Sequence, residues 1–188
     1  NLYGATKLVS EKLFVDGNAY AGAKQTRFSV VRYGNVVGSR GSVVEIFRRC
    51  KEEGKDLPIT DASMTRFWIT LEQGARFVLK SLARSRTGGM VYIPKIPSAL
   101  IVSIAGAIED NPTLVHVGTR PGEKIHEELI STHEAARAVD VGDYYMVEPD
   151  TDWFKPGVNT HQAPGFKYTS DKNIFLTINQ IKESLCKS

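Results

Sequence analysis

Asn1-Leu2-Tyr3-Gly4-Ala5-Thr6-Lys7, and further on Phe28-Ser29-Val30-Val31-Arg32-Tyr33-Gly34-Asn35-Val36-Val37-Gly38, decide how the rest of the chain is read. From Gly4 to about Ala23, apolar residues recur at helical spacing (Ala5, Leu8, Val9, Leu13, Tyr20), which predicts a helix. Gly17 costs about 1 kcal/mol relative to alanine inside a helix, so fraying or an early end is expected there. Phe28 to Tyr33 is β-branched and aromatic, the composition of a short buried strand. A glycine-punctuated stretch from Gly34 to Gly41 then leads into a helix at about Val43 to Glu53.

Working outward, Leu57 to Thr60 reads as a strand, and Thr70-Leu71-Glu72-Gln73 is a capping box opening a helix to about Ala83. Met90 to Ile93 predicts a strand between Gly88-Gly89 and Pro94. A helix follows at Leu100 to Ile108 and a strand at Leu114 to Val117. The segment Arg120 to Ile130 reads as a loop turning into a short helix, and Tyr144 to Val147 as a strand. Pro, Gly, Asp, Asn and Thr crowd Glu148 to Ser170, where irregular structure is expected. Thr177 with Gln180 caps a last helix to about Leu185. Helices alternating with short strands predict α/β or α+β, which by itself says nothing of function.

The 188 residues, 41% hydrophobic, suffice for one ordinary core. A net charge of +3 is too small to argue for nucleic acid, and Arg48, Arg49 and Lys51 are followed at once by Glu52 and Glu53, as on a solvated helix face. Cys50 and Cys186 stand far apart, so no disulfide framework is read and a reducing cytoplasm is the default. The histidines at 116, 126, 133 and 161 have no metal-ligand spacing, and no metal is expected. No apolar run is long enough to span a bilayer, so no membrane role is expected of this stretch. The chain opens without an initiator methionine and reads as a fragment, whose preceding part could carry an anchor.

Tyr3 and Lys7, at i and i+4, share one helix face. A cation beside a phenol favours the phenolate, so such a pair can move a proton to or from a hydroxyl while hydride moves to or from a nicotinamide. Read alone, the pair is common by chance, two residues that happen to share a face. Arg120-Pro121-Gly122-Glu123-Lys124 offers a guanidinium for a diphosphate and a carboxylate for ribose hydroxyls, with proline and glycine setting a turn between them. Read alone, it is also a charged surface turn. The glycines at 34, 38 and 41 do not make the G-x-G-x-x-G dinucleotide fingerprint.

Taken together, the Tyr3-to-Lys7 helix and Val31-Arg32-Tyr33-Gly34-Asn35-Val36-Val37-Gly38 resemble the extended short-chain dehydrogenase/reductases. Gly38-Ser39-Arg40-Gly41-Ser42-Val43-Val44, Pro58-Ile59-Thr60-Asp61 and Met64-Thr65-Arg66-Phe67-Trp68-Ile69 narrow the likeness to the polysaccharide-biosynthesis branch. Pro94-Lys95-Ile96-Pro97-Ser98 and the stretch from Arg120 to Leu129 fit that branch too, and the similarity runs to about Tyr168. A tyrosine at position 3, where other members carry methionine, is similar to the inverting UDP-N-acetylglucosamine 4,6-dehydratases that begin pseudaminic acid synthesis.

The resemblance implies an α/β fold: the C-terminal part of a Rossmann-like, doubly wound parallel sheet plus a smaller α/β substrate-binding region, with the N-terminal βαβ units lying upstream. It implies residues 1–93 as the remainder of the NADP-binding domain, intermixed with substrate-binding segments at 38–66, and 94–188 as mainly the UDP-sugar-binding region. Tyr3 is then the acid/base, Lys7 the holder of the nicotinamide ribose, and Tyr33 a further cofactor contact. Asn35, Arg40, Thr65, Arg66, Arg120 and Glu123 are expected to touch the UDP-sugar. The implied cofactor is NADP, with NAD as the alternative, and the implied assembly a homo-oligomer. A UDP-sugar 4-epimerase or reductase would share Tyr3, Lys7, Asn35 and Arg120, and a non-catalytic nucleotide-sugar-binding protein is the third reading. An Asp-Lys pair that serves the elimination in the dehydratases precedes the tyrosine there and would lie upstream of Asn1.

Overall fold

The computed structural model describes residues 2–22, 25–155 and 161–186. In chain order the elements are α1 (Leu2–Asp16), β1 (Val30–Val31), β2 (Asn35–Val36), α2 (Val43–Glu52), β3 (Leu57–Ile59), β4 (Thr65–Ile69), α3 (Leu71–Arg84), β5 (Val91–Pro94), β6 (Ser98–Leu100) and α4 (Ile101–Ile108). They continue with β7 (Leu114–His116), β8 (Glu128–Ile130), β9 (Ala138–Asp140), β10 (Tyr144–Val147), β11 (Tyr168–Thr169) and α5 (Ile178–Cys186). The chain folds as two interleaved compact units: Asn1–Tyr33 with Ala75–Lys95 and Leu129–Tyr168, and Gly34–Gly74 with Ile96–Glu128 and Thr169–Ser188.

The first unit is built on a sheet of order β1-β5-β10-β9. Its β1 and β5 run parallel, Val30 beside Val91 and Val31 beside Tyr92, while β10 runs antiparallel to both β5 and β9. Val91 to Pro94 are buried throughout, which is why they read as a continuous apolar run rather than an alternating one. Phe77 of α3 packs with Met90, Tyr92 and Tyr144 against the sheet. α1 ends at Asp16, one residue before Gly17, and passes into a 3-10 turn at Gly17–Tyr20. The glycine therefore acts as the sequence predicts; the expected end at Ala23 lies outside the described residues.

The second unit holds a three-stranded sheet of order β2-β4-β6 and a parallel pair, β3 with β7. β2 lies parallel to β4, with Asn35 opposite Trp68, and β6 antiparallel to it, with Arg66 opposite Ala99. The core is the meeting of three amphipathic helices over β3: Val44 and Phe47 from α2, Ile104 and Ala105 from α4, and Ile181 and Leu185 from α5, with Leu57 and Ile59 beneath. Val44 and Phe47 are three apart and Ile181 and Leu185 four apart, spacings that share a helix face, and in α4 Ile101 lies three and four residues from Ile104 and Ala105. Burying a side chain such as Phe47 removes it wholly from water, a gain of about 1.5–3 kcal/mol.

One expected element is corrected. The segment from Arg120 forms no helix; it turns at Pro121–Gly122, bends at Ile125–His126 and enters β8. The carbonyl of Ile125 accepts the N–H of Thr65 at 3.1 Å, and that of Glu127 accepts the N–H of Ser170 at 2.9 Å. Acceptors that a helix would use for its own ladder are thus engaged by other segments.

Candidate nucleotide-sugar site

Within the second unit, Asn35, Arg40, Arg66, Arg120 and Glu123 come together around one cavity of about 370 Å³. The backbone explains each placement. Gly34 packs so tightly on β4 that a Cβ there would fall 2.3 Å from the Cβ of Phe67, so only glycine lets β2 lie beside β4 and deliver Asn35. Arg40 sits in the loop that ends at Ser42, the residue preceding α2. That helix start, Ser42 to Val44, also lines the cavity, and the positive end of the helix dipole favours an anion there. The hydroxyl of Ser42 is buried and has no partner among the described residues.

Arg120 to Glu123 forms a tight turn in which the N–H of Glu123 donates to the carbonyl of Arg120 at 3.0 Å. Proline at the second position and Gly122 at the third, with φ of 75°, are the signature of a type II turn. The Glu123 carboxylate reaches back to accept the N–H of Arg120 at 3.1 Å. Arg66 on β4 is held more firmly: it donates to the carbonyls of Thr65 at 2.7 Å and Ile125 at 3.0 Å. Glu123 at 3.8 Å and Glu127 at 3.6 Å balance its charge. Among the described residues, Arg40 and Arg120 have no carboxylate partner for their side chains. Two uncompensated cations, a helix start and an orphaned hydroxyl around one hollow form an anion receptor, and the apolar Val117, Ile101 and Trp68 supply the opposite character.

Thr65 stands differently. It is buried, and its hydroxyl lies 2.7 Å from that of Ser170 and 2.8 Å from His126 Nδ1, so it ties three segments together and does not line the cavity. Sequence reasoning did not single out Ser42 or Glu127. Ser42 carried a usable signal, a serine just before an apolar helical run. Glu127 carried none.

In the first unit, Tyr3 and Lys7 lie together on α1, with the ammonium 5.3 Å from the centre of the Tyr3 ring. Tyr3 is 71% exposed, which leaves its hydroxyl free for a ligand. Tyr33, in the same unit, is half-exposed. A cation with open donors beside a phenol suits the hydroxyls of a ribose and a proton-transfer step, so these residues fit the nicotinamide end of a dinucleotide. No helix among the described residues is long and apolar enough to cross a membrane.

A unit whose parallel β1–β5 pair accompanies this tyrosine–lysine helix is of the Rossmann-like dehydrogenase/reductase class. The chain belongs to the polysaccharide biosynthesis protein family, whose sequence pattern matches residues 1–149. It is 48% identical over 184 residues to the inverting UDP-N-acetylglucosamine 4,6-dehydratase of Campylobacter jejuni, covering 92% of this chain and 55% of that protein. It is 32% identical to the UDP-glucose 4-epimerase of Rickettsia canadensis, covering 98% of this chain and 60% of the epimerase. Among solved structures, that of Pen from Bacillus thuringiensis superposes with a TM-score of 0.85 at 28% identity, covering all of this chain and 57% of Pen. The chain spans about half the length of the curated relatives it matches.

Proposed function

We propose that this chain supplies the UDP-sugar cavity and the proton-transferring tyrosine of an inverting, NADP-dependent UDP-N-acetylglucosamine 4,6-dehydratase. The observation that carries the reading is the cavity whose Arg40 and Arg120 have no carboxylate partner among the described residues, joined to the 48% identity with a dehydratase. Arg120 grips the diphosphate, Glu123 takes the ribose hydroxyls, Asn35 and Arg40 contact phosphate or sugar, and Arg66 closes the wall between them. Thr65 contributes by fixing the strand on which Arg66 stands.

The dinucleotide, held by Lys7, Tyr33 and Tyr3, supplies reversible hydride acceptance when bound. Tyr3 takes the proton of the sugar C4 hydroxyl as C4 is oxidised to a ketone. The ketone acidifies the hydrogen at C5, water leaves across C5 and C6, and reduction at C6 with protonation at C5 closes the cycle without net redox change. The acid and base for water loss come from an Asp-Lys pair that the family carries ahead of the tyrosine, a position upstream of Asn1. The product is a UDP-linked 4-keto-6-deoxy-N-acetylhexosamine with inverted C5. A cytoplasmic homo-oligomer, active only as the complete gene product, completes the reading.

Tyr3→Phe in the complete gene product tests it: turnover is lost while UDP-sugar affinity, measured by calorimetry, stays within about twofold. Undiminished turnover would remove Tyr3 from the chemistry. An epimerase would use the same Tyr3, Lys7, Asn35 and Arg120, and its product, the C4 epimer, distinguishes it.

A further inference from the structure

Arg32 lies in the strand-turn motif between β1 and β2, yet the reaction above gives it no part. Its guanidinium is engaged on every side. Nε donates to Glu11 Oε2 at 3.0 Å, Nη2 to Glu11 Oε1 at 2.5 Å and to Glu134 Oε1 at 2.9 Å. Nη1 donates to Glu134 Oε2 at 3.1 Å and to the carbonyl of Leu129 at 2.6 Å. All five N–H donors of the group are therefore used, two of them in a fork on each carboxylate. The three side chains are 21%, 11% and 17% exposed, so water competes little for them.

The partner on α1 matters because α1 carries the Tyr3–Lys7 pair. Of its residues only Val15 is buried, and Leu2, Tyr3, Leu8, Val9, Leu13 and Phe14 are exposed. Its C-terminal end is pinned by Asn18, whose side chain donates to the carbonyl of Phe28 at 3.0 Å and accepts the N–H of Phe28 at 2.9 Å. Toward the N-terminus the Phe14 ring meets that of Phe28 at 6.0 Å between centroids, and beyond it Glu11 is held by Arg32. Tyr3, Lys7, Glu11 and Val15 succeed one another at intervals of four, so they form a single stripe along the helix. Fixing Glu11 fixes the rotation of that stripe about the helix axis.

We infer that Arg32, with Glu11 and Glu134, is a positioning residue for the Tyr3–Lys7 pair: it sets the rotation of the catalytic helix through Glu11. The inference rests on the reading of Tyr3 as the acid/base. Arg32, Glu11 and Glu134 do not line the cavity, whose residues belong to the other unit. Loss of the clamp should accordingly reach the chemical step and spare UDP-sugar binding, since small misplacements of a reacting group are costly in rate.

The test uses the complete gene product with Glu11→Gln, which keeps the side chain's shape and one acceptor but weakens the fork, and Arg32→Lys as a second variant. The expected result for Glu11→Gln is a kcat lower by about tenfold or more, with UDP-N-acetylglucosamine affinity by calorimetry within about twofold of the wild type. Arg32→Lys should do the same wherever it folds. A wild-type kcat in Glu11→Gln overturns the inference, as does a parallel fall of affinity and kcat, which marks general damage. A wild-type protein that neither binds nor turns over the UDP-sugar removes the functional reading itself, and the inference with it.

Discussion

At the scale of single residues, the turn Arg120-Pro121-Gly122-Glu123 joins sequence and site most directly. Its proline and glycine demanded a turn, and the structure has one with φ of 75° at Gly122 and both charged ends at the cavity. Arg120→Gln should weaken UDP binding about tenfold to a hundredfold, the worth of a charge-assisted contact of about 1.4–2.8 kcal/mol, as read by calorimetry. Unchanged affinity would take the diphosphate away from Arg120. Gly34→Ala should destabilise the fold by about 1–3 kcal/mol in urea denaturation, because the new Cβ meets the fully buried Phe67 at 2.3 Å. The reason for that glycine was not legible, since it depends on a strand contributed thirty residues later. Likewise Thr65 was picked out by likeness, but its hydroxyl bonds to His126 and Ser170 only exist once three distant segments meet.

At the scale of elements, the helices were legible and several strands were not. Caps and periodicity are local: the Thr70 hydroxyl accepts the N–H of Gln73 at 3.2 Å, and the Gln73 side chain accepts the N–H of Thr70 at 2.9 Å, as the capping box requires. Thr70→Ala should therefore cost about 1 kcal/mol in thermal or urea unfolding, and a loss near zero would show that Leu71 to Arg84 does not depend on its cap. The same box recurs at Thr177 and Gln180. β4 escaped notice because Thr65, Phe67, Trp68 and Ile69 are all buried and give no alternation, while Arg66 breaks the apolar run. β2 and β6 are two and three residues long, too short for any periodic signal, and exist through pairing with β4. The helix expected near Ile125 failed for the same reason: non-local partners captured its backbone.

At the scale of the whole molecule, local alternation leaves α/β or α+β and the family resemblance selects α/β, but the interleaving of the units follows from neither, because the chain changes unit where strands find distant partners. Stability at this scale should depend on acid. Burial works against the ionised form of Glu134, but the hydrogen bond and charge of Arg32, with the N–H and hydroxyl of Ser131, outweigh it and bring the carboxyl from 4.5 down to about 2. A depressed carboxyl stabilises the fold above its unfolded value and loses that contribution as pH falls through its folded value. Unfolding free energy should thus decline as pH drops from about 4.5 toward about 2, and Glu134→Gln should flatten that decline; equal slopes for the two proteins would place the acid sensitivity elsewhere. The central claim, a dehydratase acting on UDP-N-acetylglucosamine, is tested most directly by giving that sugar nucleotide to the complete gene product in deuterated water and following C4, C5 and C6 by NMR. The account predicts a 4-keto, 6-deoxy product with deuterium at an inverted C5. A product altered only in configuration at C4, with C6 still bearing its hydroxyl, would contradict it.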